Sequence, residues 1–269
     1  MNKTLVRLTE TAIMIALGTV LSIVKLVDLP YGGSITAAHM LPVMIIAYRY
    51  GATWGFCSGA VYGALQLLLG MKNLSYATSI WAAIAIIVLD YLLAYVFVGT
   101  PGFFKGKSIS QPAGLTLGVF IAMVLRYFCH VIAGCTVWAG LSIPTAAALT
   151  YSLVYNATYM IPETIVTVLA ALYIGSVLDF SSPRLKRLEQ TNFSLSSICF
   201  NLIGVAAFIA DVCLFFGVLQ NEDDGTFTTA NLSSLSWTWI GGLAIIGVAC
   251  FIFAFIFKNR PAEQAELKE

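Results

Sequence analysis

The chain has 269 residues, of which 59% are hydrophobic and only 10% charged, with a formal net charge of +1. Soluble domains carry about 25% charged residues, so a water-facing globule is excluded and most of the chain must face lipid or other apolar helices. A charge this close to zero gives no electrostatic footprint for nucleic acid.

A helix that crosses a bilayer needs about 20 mostly apolar residues, and such segments fall at roughly 6–27, 51–70, 79–99, 113–140, 149–175, 196–219 and 236–257. A shorter apolar segment, at roughly 36–49, contains Pro42 and crosses only with help from its neighbours or with a distorted start. The sequence therefore predicts an all-α membrane protein of eight helices. The first apolar run begins near Ala12 and ends at Leu29-Pro30 without a small-residue cleavage pattern. It reads as a helix and not as a signal peptide.

Charge placement supports the count. With a cytoplasmic N-terminus, eight spans put Lys3, Arg7, Arg49, Lys105, Lys107, Arg184, Lys186, Arg187, Lys258, Arg260 and Lys268 inside, while only Lys25 and Lys72 fall outside and Arg126 lies within a span. The acidic loop at Glu222, Asp223 and Asp224 also lands outside. This asymmetry is the positive-inside pattern, and both termini are then cytoplasmic. Leaving out the short second helix would invert every later loop. The linker Ser181–Ser194 is the one composition shift. It separates a six-helix block, residues 1–178, from a two-helix tail, residues 196–269, with 179–195 as a cytoplasmic connection. The six cysteines (Cys57, Cys129, Cys135, Cys199, Cys213 and Cys250) all lie in apolar runs without zinc-type spacing, so they read as packed small hydrophobes.

Three helices carry polar groups that hydrocarbon alone would not tolerate. An ionisable side chain at the bilayer centre costs roughly 2.5–3.5 kcal/mol on insertion scales, so such groups face the protein interior. In the fourth helix, Asp90-Tyr91 sits inside Ile86-Ile87-Val88-Leu89-Asp90-Tyr91-Leu92-Leu93. A carboxylate there needs a cation, either Arg126 or a charged ligand. In the fifth helix, Arg126 and His130 stand four apart on one face, with Trp138 two turns further along. Read structurally, Trp138 is an interfacial anchor, His130 a satisfied buried histidine, and Arg126 one half of an ion pair with Asp90 or Glu163. The sixth helix carries Tyr151, Tyr155 and Tyr159 in one stripe, with Asn156 and Glu163 nearby. Such a stripe packs more often than it binds, but a buried Asn156 offers two donors and an acceptor that need partners. Taken together, Asp90, Tyr91, His130, Trp138, Tyr151 and Asn156 suit a small, flat, cationic, nitrogen-rich molecule, because aromatic faces attract cations. The first helix adds Ala12-Ile13-Met14-Ile15-Ala16, a small-residue spacing that lets another helix approach closely. By itself this motif is equally compatible with internal packing.

No GxxxxGK[ST] is present, so the chain cannot by itself be an ATP-driven pump of the P-loop kind. HExxH and GxSxG are also absent, leaving intramembrane hydrolysis by those routes without support. His39 and His130 give no metal signature, and no cofactor is expected.

At these residues the chain resembles the thiamine-specific substrate-binding (S) components of energy-coupling factor (ECF) transporters. The matching pieces are Arg7-Leu8-Thr9-Glu10-Thr11-Ala12-Ile13-Met14-Ile15-Ala16-Leu17, Leu89-Asp90-Tyr91-Leu92-Leu93-Ala94, Arg126-Tyr127-Phe128-Cys129-His130-Val131-Ile132-Ala133-Gly134 with Trp138, and Ala148-Leu149-Thr150-Tyr151-Ser152-Leu153-Val154-Tyr155-Asn156. Their order and spacing fit the family over residues 1–178. The resemblance implies a six-helix vitamin-binding bundle in the bacterial cell membrane, followed here by two extra C-terminal transmembrane helices. It implies that thiamine is captured from outside, and that energy comes from a transmembrane coupling protein and two cytoplasmic ATPases. By the same resemblance, Asp90 lies near the thiazolium; Tyr91, His130, Trp138, Tyr151 and Asn156 contact the ligand; and Ala12 and Ala16 meet the coupling protein. Three positions depart from the family pattern. Tyr31-Gly32-Gly33 stands where a loop tryptophan is frequent, so Tyr31 is the candidate replacement wall. Asp90 replaces a glutamate and reaches one methylene less. The segment before Asp90 aligns poorly, leaving Tyr76 or Trp81 as candidates for a contacting tyrosine.

The readings that remain open beside binding are a self-sufficient secondary transporter using Asp90 or Glu163 as a proton relay, and a membrane scaffold without a ligand.

Overall fold

The computed structural model describes residues 3–28, 33–139, 146–182, 185–187, 195–219 and 229–258. The chain divides into two compact units, Met1–Lys186 and Arg187–Glu269. The described residues include seven helices long and apolar enough to cross a membrane, with Leu41–Tyr50 as a shorter apolar helix. The eight apolar segments of the sequence are thus all helical.

In the first unit, α1 (Lys3–Ile23) runs into an antiparallel pair, β1 (Lys25–Asp28) and β2 (Ser34–Thr36). The pair is in register at Val27↔Ile35 and Asp28↔Ser34, with an irregularity between Lys25 and Val27. The sequence predicts helix as far as residue 27. The structure leaves the helix at Ile23, because Lys25–Asp28 and Ser34–Thr36 satisfy backbone groups by pairing with each other, which tucks Ile35 and Thr36 inward. Ala38 then takes a left-handed backbone, φ 56°, and turns the chain into α2 (Leu41–Tyr50). Pro42 sits in the first turn of α2, where its missing N–H removes no helical bond. Every residue of α2 from Leu41 to Arg49 is buried. At ten residues it is about 15 Å long, half a bilayer core, so β2 and the turn supply the remainder of that crossing. Gly51, at φ 96°, separates α2 from α3 (Ala52–Leu69) in a conformation that disfavours a side chain.

A 3₁₀ turn, Met71–Tyr76, leads to α4 (Ile80–Phe104). Ser79 caps α4 by accepting from the Ala82 N–H at 3.1 Å. This helix is not uniform. Ile86–Leu93 is wound as a π-helix and Phe97–Phe104 as a 3₁₀ helix. α5 (Gln111–Ala139) and α6 (Ala146–Val177) complete the unit, followed by the two-residue strand β3 (Leu178–Asp179).

The helix ends of this unit are tied by one buried cation. Arg49, 7% exposed, donates to both carboxylate oxygens of Glu10 in α1 at 2.9 and 3.2 Å. It also donates to the carbonyls of Phe180 and Ser182 at 3.2 and 2.9 Å. Gln111 closes the same end, donating to Gly175 O and accepting from the Phe180 N–H. A planar guanidinium can serve a bidentate carboxylate and two carbonyls at once, which an ammonium cannot. On its inner face α1 buries Thr11 and Gly18, with Trp54 Nε1 donating to Thr11 Oγ1 at 2.9 Å. Its other face leaves Ala12, Ile13, Ala16, Leu17 and Val20 exposed.

In the second unit, α7 (Leu195–Leu219) and α8 (Trp237–Lys258) lie antiparallel. Phe200 stacks on Phe257, Phe208 stacks on Phe251, and Ser197 Oγ donates to Ala254 O at 2.7 Å. Among the described residues, Asp211 Oδ1 is buried there without a hydrogen-bond partner. All six cysteines are free; Cys129, Cys135 and Cys250 are buried, whereas Cys57, Cys199 and Cys213 face the surface of their apolar helices. The packed-cysteine expectation is therefore corrected for those three: an apolar run places a thiol in the membrane without saying which face carries it.

Arg49→Ala is expected to lower stability by about 3 kcal/mol, because Glu10 keeps a partly buried charge and two carbonyls lose their donor. Arg49→Lys should recover part of this but not all. Thermal melting of the purified protein in detergent measures both.

Candidate functional site

The π-wound turn of α4 is where the site begins. A π turn carries one extra residue relative to α-helix; from it Asp90 reaches His130 of α5, and the Tyr91 hydroxyl reaches Gly70 O and Asn73 beyond the end of α3. The buried Tyr91 ring and Asp90 border a cavity of about 160 Å³, far beyond the roughly 10–15 Å³ that one water needs. α5 contributes Arg126, His130 and Gly134; α6 contributes Tyr155, Asn156, Tyr159 and Glu163. The segments at the far ends of the helices from Arg49 close it, with Gly33 and Ser34 from the hairpin and Asn73 and Tyr76 from the 3₁₀ turn.

The polar groups form two connected sets. In the first, Arg126 Nη2 lies 3.3 Å from His130 Nε2, and His130 Nδ1 lies 2.8 Å from Asp90 Oδ1. A guanidinium only donates and a carboxylate only accepts, so Nε2 is the unprotonated nitrogen and Nδ1 carries the proton. His130 is thus held as one neutral tautomer between a cation and an anion. In the second set, Thr36 Oγ1 donates to Glu163 Oε1 at 2.8 Å, and His39 Nδ1 lies 3.1 Å from the same oxygen. The Tyr95 hydroxyl is 3.3 Å from His39 Nε2, and the Arg126 guanidinium lies over the Tyr95 ring, 4.8 Å from its centre. Two carboxylates, Asp90 and Glu163, border the cavity with one guanidinium, that of Arg126. Asp90 is the more open carboxylate, its side chain 27% exposed against 3% for Glu163. Asp90 is therefore the one that can meet a ligand cation, while Glu163 fixes β2 and His39 to α6.

The aromatic walls follow from the α6 stripe. Tyr155 and Tyr159 meet edge to face at 5.7 Å, and Tyr159 packs edge-on against His130 at 6.3 Å. The Tyr155 hydroxyl accepts from the Gly33 N–H at 3.1 Å, and a Cβ at Gly33 would lie 2.7 Å from that oxygen, so only glycine fits the hairpin against this wall. Gly134 does the same for α5 and α6, with a Cβ there only 2.3 Å from Ser152 Oγ.

Of the residues singled out in the sequence, Asp90, Tyr91, His130 and Asn156 border this one cavity. Tyr151 is half-buried and stacks on Tyr155 at 6.1 Å, one residue back from the lining. Tyr31 lies outside the described residues, and Trp138 lies in α5 with its side chain outside them. Tyr76 borders the cavity, whereas Trp81 is 58% exposed and does not. Asn156 already has protein partners: its Nδ2 donates to Ser152 O at 2.8 Å, and its Oδ1 accepts from the Tyr159 hydroxyl at 2.6 Å. The ion pair expected for Arg126 is corrected. Among the described residues, Arg126 makes no salt bridge with Asp90 or Glu163; His130 is interposed on one side, and His39 with Thr36 takes the other carboxylate. Helical spacing put Arg126 and His130 on one face, but not which of them reaches Asp90. His39, Thr36 and Tyr95 were not singled out. Their one sequence signal was Glu163, a carboxylate in a span that required donors from somewhere.

A bundle of apolar helices around a partly open, charged and aromatic cavity defines a multi-pass membrane protein built to hold a small polar molecule. The family model for the thiamine transporter protein (Thia_YuaJ) matches residues 8–180. The thiamine transporter ThiT of Bacillus subtilis is 30% identical over 200 residues, covering 70% of this chain and 98% of that protein. ThiT of Lacticaseibacillus paracasei is 26% identical over 183 residues, covering 62% of this chain and 85% of that protein. A solved structure of ThiT from Listeria monocytogenes superposes with a TM-score of 0.52 at 27% identity, covering 65% of this chain and 95% of that one. The chain belongs to the Thia_YuaJ thiamine transporter family. It is accordingly a multi-pass cell-membrane transport protein and not an enzyme.

Glu163→Leu is expected to destabilise the protein by about 3 kcal/mol, since Thr36 and His39, bonded to each other, lose the buried carboxylate they share. Glu163→Gln retains one acceptor oxygen and should lie between the two in a thermal melt. Equal melting of all three proteins would contradict the assigned role of Glu163.

Proposed function

We propose that the chain is the substrate-binding membrane subunit of a vitamin uptake system, taking thiamine from the outside and delivering it with an ECF coupling protein and two cytoplasmic ATPases. The observation that carries the reading is an aromatic-walled cavity bordered by two carboxylates and one guanidinium, with Asp90 as its open carboxylate. Thiamine is a permanent cation with two flat rings. Its thiazolium suits Asp90, and its rings suit the faces of Tyr91, Tyr155 and Tyr159, as cations and aromatics attract. The relatives named above are thiamine transporters, which supports the same ligand. By family likeness, Tyr31, Trp138 and Tyr151 are assigned as further ligand-facing aromatics, and Asn156 with His130 as the polar readers of the ring.

The energising partners are inferred from two features. The sequence holds no phosphate-binding loop, so ATP-driven uptake would need separate ATPases. The face of α1 around Ala12 and Ala16 is exposed and small-residue rich, a surface on which a coupling-protein helix can pack closely. Basic residues gather at the Arg49 end of the first unit, with Lys105, Lys107 and Lys186 on the adjoining segments. The positive-inside rule then turns the cavity end outward and the termini inward.

Calorimetry on the purified chain is expected to show thiamine binding at sub-micromolar Kd, and no detectable binding would sink the substrate assignment. Asp90→Asn should weaken that binding by about 30-fold or more, from the loss of roughly 2 kcal/mol of charge pairing in a desolvated site. Proton-driven uptake into liposomes holding this chain alone would favour the secondary transporter instead.

A further inference from the structure

Asp90 reaches α5 with its side chain, but its backbone is fixed by α3. In α3, Gly55, Gly59 and Gly63 stand four residues apart and share one face. Along that face the α4 backbone comes closer than a Cβ would allow. A Cβ at Gly63 would lie 2.5 Å from the Tyr91 carbonyl oxygen and 2.9 Å from Tyr95 Cβ. One at Gly59 would lie 2.3 Å from the Tyr95 carbonyl oxygen, and one at Gly55 would lie 2.9 Å from Gly99 Cα. Gly70, just past the end of α3, repeats the pattern against a side chain. A Cβ there would stand 2.1 Å from the Tyr91 hydroxyl oxygen, which donates to Gly70 O at 3.2 Å. Tyr91 is therefore seated on α3 at both ends, its carbonyl over Gly63 and its hydroxyl over Gly70.

These close approaches fall on different parts of α4. Gly63 and Gly70 meet Tyr91, which follows Asp90 in the π-wound stretch Ile86–Leu93. Gly55 meets Gly99, in the 3₁₀ stretch Phe97–Phe104. A clash with a carbonyl oxygen cannot be relieved by turning a side chain. Ordinary carbon–oxygen contacts begin at about 3.3 Å, so a methyl group at Gly63 has to displace the Tyr91 peptide by roughly 0.8 Å. Asp90 is joined to that peptide through one residue, and its Oδ1 stands 2.8 Å from His130 Nδ1. A binding constellation works only when held to within about 0.5 Å, so the displacement is large on the scale that matters to the site. Gly63 itself lies outside the cavity lining, as does Gly55.

We propose that Gly63 is a positioning residue of the ligand site. By letting the Tyr91 backbone lie directly on α3, it sets the place from which Asp90 meets the ligand cation. This rests on the reading of the cavity as a thiamine site. Gly63 acts on binding through Asp90, whereas Gly55, in the same seam, serves packing alone.

The test is calorimetry with thiamine on the full chain, paired with thermal melting, for Gly63→Ala, Asp90→Asn, the double variant and Gly55→Ala. Gly63→Ala is expected to weaken thiamine binding by about tenfold or more. In the Asp90→Asn background the same substitution should weaken it by less than about threefold, because residues that act through one another are not additive. Its effect on the melting temperature should be the same in both backgrounds. Gly55→Ala should lower the melting temperature as well, yet change thiamine affinity by less than about twofold. Should Gly63→Ala fail to fold, Gly70→Ala, which meets the same tyrosine at its hydroxyl, is read in the same way. The inference is overturned if Gly63→Ala leaves thiamine affinity unchanged, if it weakens binding equally in the two backgrounds, or if Gly55→Ala weakens binding as much. Failure of the unaltered chain to bind thiamine would bring down the functional reading and this inference together, whereas thiamine binding without the coupling to Asp90 brings down this inference alone.

Discussion

Ionised groups placed among apolar helices must be answered by other protein groups, and the first unit is organised around meeting that demand. A single imidazole, His130, separates Arg126 from Asp90, so that the cation and the anion are linked without being fused. Direct contact would have neutralised Asp90 in place and closed it to anything else. Interposing a neutral ring leaves the carboxylate hydrogen-bonded yet open on one side. Glu163 is treated in the opposite way: two donors converge on one of its oxygens and it is sealed inside. A carboxylate thus serves once as an open charge and once as a structural fastener, and the difference lies in how many protein donors reach it.

Two local departures from regular helix make this arrangement possible. The π-wound stretch of α4 turns Asp90 and Tyr91 to the interior from a segment that is otherwise uniformly apolar. The β1–β2 hairpin brings Thr36 and Gly33 onto α6, one against Glu163 and the other against Tyr155. Both elements are short. Both decide which polar atoms meet.

The spans were legible in the sequence because hydropathy over about 20 residues is a strong signal, and charge asymmetry recovered the short α2 that length alone would have discarded. Much of the cavity was legible too, since Asp90, His130, Asn156 and Glu163 stand out as polar residues in apolar runs. What could not be read was pairing. His39 and Glu163 are distant in sequence, and nothing in either run names the other. Ile86 to Leu93 shows no proline or glycine to announce a change of winding, so the azimuth of Asp90 was unknown, and with it the choice between Arg126 and His130 as its neighbour. The hairpin was missed for a related reason. Val24 to Val27 continues the apolar character of α1, and only the paired backbone of Ser34 to Thr36 shows that the chain has changed conformation.

The burial of α2 on every side has a consequence for how the protein is made. A ten-residue helix covers only half the hydrocarbon thickness and carries Arg49 at its end, so it has too little apolar length to partition into lipid on its own. It must enter the bilayer in company, as one arm of the tight α2–Gly51–α3 hairpin, and reach its final depth only when α1, α4 and the end of α6 have closed around it. Biogenesis of the first unit is then a late, concerted step and not a sequence of independent insertions, with the innermost helix the last to find its environment.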